Sequence, residues 1–133
     1  MLDLPQLPLS LPSLVAGSNR LLGMCIFCKI AAGEIPTNFL YESESVVAFK
    51  DLDPQAPAHV LVIPRSHYEN AAELAAADSA TMSELFGAAR KIASDFGLDG
   101  YRITFNTGAS AGQSVFHAHL HLLGGRPFAW PPG

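Results

Sequence analysis

Three histidines at strict alternation, His117, His119 and His121, constrain this chain more than any other feature. They lie in Ser114-Val115-Phe116-His117-Ala118-His119-Leu120-His121-Leu122-Leu123. Alternate side chains of a strand share a face. The spacing therefore predicts a strand over Ser114–Leu123 with the three imidazoles in a row. Phe116, Ala118, Leu120 and Leu122 fill the opposite face and anchor it to the core. Each imidazole needs hydrogen-bond partners when water is removed, so three in a row are costly to place without a use. A solvated strand face or a metal site is the bland alternative. A purification tag is not, because tags are contiguous and this run alternates with apolar residues.

The turn before it, Asn106-Thr107-Gly108-Ala109-Ser110-Ala111-Gly112-Gln113-Ser114, carries two glycines that permit tight backbone geometry. N–H groups near Gly112 to Ser114 are expected to point at an anion, as in other phosphate-binding nests. The turn is no P-loop, since the GxxxxGK[ST] spacing and its lysine are missing. An ordinary hairpin loop would explain the glycines as well if the histidines did not follow at once.

Around this segment the chain reads as one small domain. Its 133 residues suit a single two-layer core. The formal charge of −4 offers no basic face for a nucleic-acid partner. No apolar run approaches the ~20 residues that span a bilayer. Two cysteines cannot staple a secreted mini-domain, so a reducing cytoplasm is the expected location. Residues 1–23 hold three prolines and no helical periodicity, and they make a poor signal peptide. They are expected to be a disordered N-terminal extension, with the domain over 24–133 and Met24 available as a start.

Phe39–Glu42 and Val46–Leu52 read as a strand hairpin, and His59–Ile63 as a third strand entered through Asp53-Pro54-Gln55-Ala56-Pro57. A short helical piece is expected around Asn70–Ala76. The main helix is expected over Ser79–Phe96, where Met82, Leu85, Phe86, Ala89, Ile92, Ala93 and Phe96 form one apolar face. Asp78 or Ser79 caps its start and Gly97 its end. Tyr101–Asn106 is a fourth strand and Ser114–Leu123 the fifth. Strands on both sides of one main helix, without β-α-β alternation, favour an α+β domain with an antiparallel sheet.

The segment from Gly112 to Arg126, with its His-x-His-x-His core, resembles the histidine-triad (HIT) superfamily. The Gly112-Gln113-Ser114-Val115 lead, the Gly124-Gly125-Arg126 trailer and the terminal Trp130-Pro131-Pro132-Gly133 resemble its Hint branch. So do Cys25-Ile26-Phe27-Cys28-Lys29-Ile30, Glu34-Ile35-Pro36, Ala48-Phe49-Lys50-Asp51, Pro54 to His59, and Val62-Ile63-Pro64. The resemblance covers Cys25 to Gly133. It implies a five-stranded antiparallel sheet with one main helix and a shorter one, pairing into a homodimer with a continuous sheet. It implies hydrolysis of the P–N bond of purine nucleoside phosphoramidates, the activity of an adenosine 5'-monophosphoramidase.

In that reading His119 attacks the α-phosphorus of the AMP moiety and forms a nucleotidyl-histidine, while His121 contacts the phosphate oxygens. His117 supports the nucleophile through its backbone carbonyl, and Ser114 lies near the leaving group. Gly112, Gln113, Val115 and Asn106 line the phosphate site, and Asp51 holds the ribose hydroxyls. Ile26, Phe27, Phe49 and Leu52 form the base pocket. For Asp51 the plain alternative is a turn carboxylate, and for Phe27 and Phe49 it is core packing. The chemistry agrees: neutral imidazole is nucleophilic at Nε2 when Nδ1 carries the proton, and a carbonyl acceptor fixes that tautomer. No cofactor is required for catalysis.

Cys25-x-x-Cys28 supplies two zinc ligands where a closed site needs four. His59 and His117 are the completions expected here, as in some relatives of the superfamily. Inert thiols and thioredoxin-like redox chemistry are the other readings. Two further functions stay open: a hydrolase or nucleotidyl transferase acting on dinucleoside polyphosphates, and a low-turnover nucleotide- or zinc-binding interaction protein. The tail Arg126 to Gly133 is stiff with proline and carries Phe128 and Trp130. Both aromatics are expected to pack on protein, and the resemblance places them on the partner subunit near its nucleotide site.

Overall fold

A computed structural model describes residues 25–133. The expected N-terminal extension, 1–23, lies outside the described residues. Five strands form one antiparallel sheet: β1 (Tyr41–Glu42), β2 (Val46–Lys50), β3 (Ala58–Pro64), β4 (Tyr101–Thr104) and β5 (Leu120–Gly124). Their spatial order is β1-β2-β3-β5-β4. Among the described residues three helices accompany them, α1 (Ile26–Ala31), α2 (Ala71–Ala77) and α3 (Ser79–Asp95). The α+β antiparallel class is as expected; α1 is additional to the expected main and shorter helices. Among the described residues no helix is long and apolar enough to cross a membrane.

The strand period divides the core in two. Val46, Ala48, Val60, Val62, Leu120 and Leu122 face α2 and α3, where they meet Leu74, Leu85, Ala88, Ala89 and Ile92. The odd-numbered Val47, Phe49, Leu61 and Ile63 face the other way and pack on Phe27, Ile30 and Ala31 of α1. Each fully buried Val, Leu or Ile contributes about 1.5–3 kcal/mol. Because both faces are covered, β2 and β3 read as continuous apolar runs, as buried strands do. Six residues are too few for an isolated helix to hold, so α1 depends on this packing. It is also tied by Arg65, whose guanidinium donates to the Ala31 and Ser43 carbonyls at 2.6 and 2.8 Å.

The main helix follows its sequence closely. Asp78 caps it, accepting from the Thr81 N–H at 3.1 Å. Gly97, at φ +68, ends it. The Gly97 N–H donates to the Ser94 carbonyl and the Leu98 N–H to the Ala93 carbonyl, closing the last turn. Phe86 and Phe96 of the expected apolar face are partly exposed, while Ala88 is buried in their stead.

The histidine segment departs from the expected strand. Only Leu120–Gly124 is strand, and the chain from Ser114 to His119 is irregular. The cause lies across the ladder. Val62 pairs with Leu120, so two further residues would set Pro64 against Ala118. Pro64 has no N–H to give, and its carbonyl is taken by the His117 side chain at 2.8 Å. The Ala118 N–H turns instead to the Tyr68 carbonyl at 2.7 Å. Ala118, Leu120 and Leu122 anchor the segment as expected, but Phe116 is exposed.

Candidate functional site

The three histidines point to three different tasks because the chain leaves strand geometry before His119. His121 lies in β5 on the α1 face of the sheet, opposite Leu61. The His119 ring stands edge-on to both the His121 ring (4.9 Å between centroids) and the Phe27 ring (5.1 Å). Its Nδ1 lies 2.8 Å from the His117 carbonyl oxygen. A carbonyl can only accept, so Nδ1 carries the proton and the Nε2 lone pair is free. Burial holds the His119 pKa below the ordinary histidine value, although the His117 carbonyl opposes the shift. Burial, with His119 and His59 alongside, pushes His121 down to about 4. Both rings are therefore uncharged at neutral pH.

His117 is fully buried. Since its Nε2–H donates to the Pro64 carbonyl, Nδ1 keeps a lone pair, and this faces the Cys25 and Cys28 sulfurs at 3.4 and 3.5 Å. The His67 Nδ1 lies 3.3 Å from the Cys28 sulfur. The four ligand atoms all fall within 4.8 Å of one another. A tetrahedral zinc with ordinary bond lengths sets nitrogen–sulfur edges at about 3.6 Å. The two thiols share protons unequally: contact with Cys28, and then with His117 and His67, holds Cys25 far below the usual thiol range, against the effect of burial. The Cys25 sulfur in turn raises Cys28. One thiolate beside two imidazoles suits a cation, and the Pro64 carbonyl behind His117 is the kind of outer partner that orients a metal ligand. The donor set thus fits zinc.

His59, expected among those ligands, is elsewhere. It is the second residue of β3, while Cys25, Cys28 and His117 converge beyond the end of β3, where His67 follows Pro64-Arg65-Ser66. The His59 Nε2 instead meets the His121 Nδ1 at 3.0 Å and the Asp51 Oδ2 at 3.4 Å. Asp51 is also a turn carboxylate, since its Oδ1 accepts from the Asp53 N–H at 2.8 Å.

The loop before the histidines is glycine-shaped as expected, with Gly108 and Gly112 at φ +89 and +96. Its nest is smaller than expected, because the Gly112 and Gln113 N–H groups close a 3-10 turn onto the Ala109 and Gly108 carbonyls. The Ser114 and Val115 N–H groups find no protein acceptor among the described residues. The Gln113 side chain is buried and occupied: it accepts from the Gly108 N–H and donates to the Glu69 and Val115 carbonyls. It braces the loop and has no free polar atom to line a phosphate site. Asn106 is adjacent, with its Nδ2 3.9 Å from where a Cβ on Gly112 would stand.

Phe27 and Phe49 pack edge to face at 5.8 Å and are both buried. Ile26 is half exposed, and Leu52 is wholly exposed at 101%. Leu52 therefore closes no pocket wall here. In the tail, Phe128 departs from expectation. Phe128 packs on its own chain between the guanidiniums of Arg102 and Arg126, at 5.1 and 4.3 Å, and Arg102 holds the Ala129 carbonyl. Trp130 is 83% exposed.

Residues 32–128 match the HIT domain family. An uncharacterised HIT-like protein of Synechocystis is 48% identical over 109 residues, covering 81% of this chain and 96% of its own length. A 14 kDa zinc-binding protein of Zea mays is 46% identical over 112 residues, covering 81% of this chain and 87% of its own. A HIT family hydrolase from Legionella pneumophila superimposes with a TM-score of 0.78 at 46% identity, over 82% of this chain and 99% of that one. A HIT family hydrolase from Clostridium thermocellum does so with a TM-score of 0.75 at 45% identity, over 79% and 93%. With the family match spanning most of its length, and with relatives this similar over nearly their whole chains, the protein belongs to the HIT family.

Proposed function

We propose that this protein is a nucleotide hydrolase that cleaves the P–N bond of purine nucleoside phosphoramidates of the AMP-amine type. The observation that carries the reading is the His119 Nδ1–H held on the His117 carbonyl. It leaves Nε2 as a nucleophile that needs no base to deprotonate it. In the first step the Nε2 lone pair bonds to the α-phosphorus, the P–N bond breaks, and the departing amine keeps its electron pair and takes a proton from solvent. In the second, water attacks phosphorus and gives up a proton to solvent, the P–Nε2 bond breaks with its electron pair returning to Nε2, and nucleoside monophosphate leaves. Positive charge develops on the His119 ring as Nε2 bonds, so its hydrogen bond to the carbonyl strengthens in the transition state. His121 and the free N–H groups of Ser114 and Val115 would contact the phosphate oxygens, Ser114 would lie by the leaving amine, and Asp51 would hold the ribose. Phe27, Phe49 and Ile26 supply the apolar surface for the base.

Zinc, if bound, would be held by Cys25, Cys28, His67 and His117 as a closed structural site that leaves no open position for substrate. The free thiols support a reducing, cytoplasmic setting. The steady-state rates of adenosine 5'-phosphoramidate, its 2',3'-dideoxy analogue and a dinucleoside polyphosphate test the whole reading. The ribonucleoside phosphoramidate is expected to turn over fastest. Loss of both ribose hydroxyls should cost about 100-fold or more in kcat/KM, since hydrogen bonds to a carboxylate contribute about 1.5–3 kcal/mol each. A faster polyphosphate substrate would transfer the protein to the polyphosphate hydrolases, and no turnover of any of the three would make it a binding protein.

We also propose a homodimer. β4 is an edge strand, and Tyr101 at its start and Trp130 in the tail leave large apolar surface in water. Sedimentation at micromolar concentration should give twice the chain mass, and a monomer there would end the proposal.

A further inference from the structure

Asp51, His59 and His121 bring one ligand atom each within 4.8 Å of one another, the composition of a cation site. Their hydrogen bonds assign them another task. The Gln55 N–H points at the His59 Nδ1 at 3.0 Å, so this nitrogen must accept. The proton of the ring is therefore on Nε2, which lies 3.0 Å from the His121 Nδ1 and 3.4 Å from the Asp51 Oδ2. A protonated Nε2 has no lone pair for a metal. It donates, and its nearer acceptor is His121. The His121 Nδ1 is then an acceptor as well, and its own proton stands on Nε2.

We propose that His59 is a positioning residue that passes the direction of the Gln55 amide to His121, presenting His121 to the substrate phosphate as an Nε2–H donor. The two ring nitrogens of an imidazole are distinguished by what the other nitrogen bonds, so one backbone N–H sets two side chains. His119 beside it is set the opposite way by a backbone carbonyl, with Nδ1–H and a bare Nε2. Adjacent rings thus offer one nucleophilic lone pair and one donor, the pair of roles that attack on a phosphoryl group requires.

The source of the signal is well held. Arg126 donates through Nε and Nη2 to the Gln55 carbonyl at 3.2 and 3.0 Å. Gly125, at φ +89, lets the exit of β5 lie against the same loop, where a Cβ would stand 2.9 Å from that of Pro57. The Gln55 amide therefore belongs to a turn clamped by the strand that carries His121. The His59 ring is buried and reaches His121 diagonally across the β3–β5 ladder, as its register opposite Leu123 requires.

The contact with phosphate rests on the function proposed above; the tautomer does not. Nitrogen-labelled histidine in the full-length protein, without substrate, gives the tautomer of each ring from long-range proton–nitrogen correlations at neutral pH. The expected pattern is Nε2–H at His59 and His121 and Nδ1–H at His119. His121 found with its proton on Nδ1 overturns the relay whatever the enzyme hydrolyses. The expected pattern in a protein that turns over no phosphoramidate would retain the relay and remove the proposed function. His59→Gln keeps a side-chain donor in reach of His121, whereas His59→Leu has none. His59→Leu should mix the His121 tautomers and lower kcat by about 10- to 100-fold, the usual cost of losing an orienting partner. His59→Gln should restore at least half of that loss on a logarithmic scale. Equal activity of the two variants, with the His121 tautomer unchanged in His59→Leu, would make His59 a packing residue. Should His59→Leu not fold, the wild-type tautomers and the His59→Gln rate still decide.

Discussion

Replacing His119 with alanine is expected to lower phosphoramidate turnover by at least about 10⁴-fold while nucleotide still binds. The nucleophile is the one group whose removal leaves no alternative route through a covalent intermediate. The ground-state contacts proposed for Asp51, His121 and the loop N–H groups do not include it, so affinity for a nucleoside monophosphate should change by less than about 10-fold. Phe27 and His121 both lean on the ring, and the variant should therefore lose some stability, which a melting curve would report separately. His119→Ala within about 10-fold of wild-type turnover would overturn the assignment of the nucleophile.

Zinc removal should have the second largest effect, on stability. A ligand that binds only the folded state adds about 4 kcal/mol when its free concentration is a thousandfold above Kd. For a domain of this size that corresponds to about 14–17 °C in Tm. Chelation should therefore lower Tm by about 15 °C, and the protein that remains folded should keep most of its activity, since the four-ligand set offers no open position. The choice of ligands makes the test sharper. Cys28→Ser and His67→Ala should abolish stoichiometric zinc, whereas His59→Ala should retain it. Wild-type protein carrying less than ~0.1 equivalent after expression in zinc-supplemented medium would remove zinc from the account. A loss of zinc in His59→Ala with retention in His67→Ala would reverse the ligand set read from the geometry.

Both experiments bear on one covalent segment. His117 gives its ring to the sulfur cluster and its carbonyl to the His119 ring two residues on. Its Nε2–H, meanwhile, closes on Pro64 where the sheet ends. The irregular stretch Ser114–His119 is thus a consequence of a missing proline N–H, and it frees His117 and His119 from sharing one strand face. A regular strand there would have set the three rings in a row, which separates neither the roles nor the environments.

The sequence by itself determined the elements whose signals are local. The apolar face of α3, its Asp78 cap and its Gly97 end are set by period and by φ, and each stands within a residue of where it was expected. The antiparallel α+β class, the buried runs of β2 and β3 and the glycine turn before the histidines were legible for the same reason. The ordered motifs from Cys25 to Gly133 pointed to the family as well. Only the tertiary structure decided which histidine joins the cysteines. His59 and His67 are alike in sequence, and they part because His117 lies past the proline end of β3, beside His67, while His59 lies at the strand's other end. It also decided α1, whose six residues carry too short a period to read and are held by Phe27, Ile30 and the Arg65 clamp. It left Leu52 in water and turned Phe128 onto Arg102 and Arg126 of the same chain. The His119 tautomer was already implied by the family resemblance, through the His117 carbonyl; those of His59, His117 and His121 belong to the tertiary structure, because which imidazole nitrogen bears the proton depends on the partner that faces the ring, and theirs come from other segments of the chain.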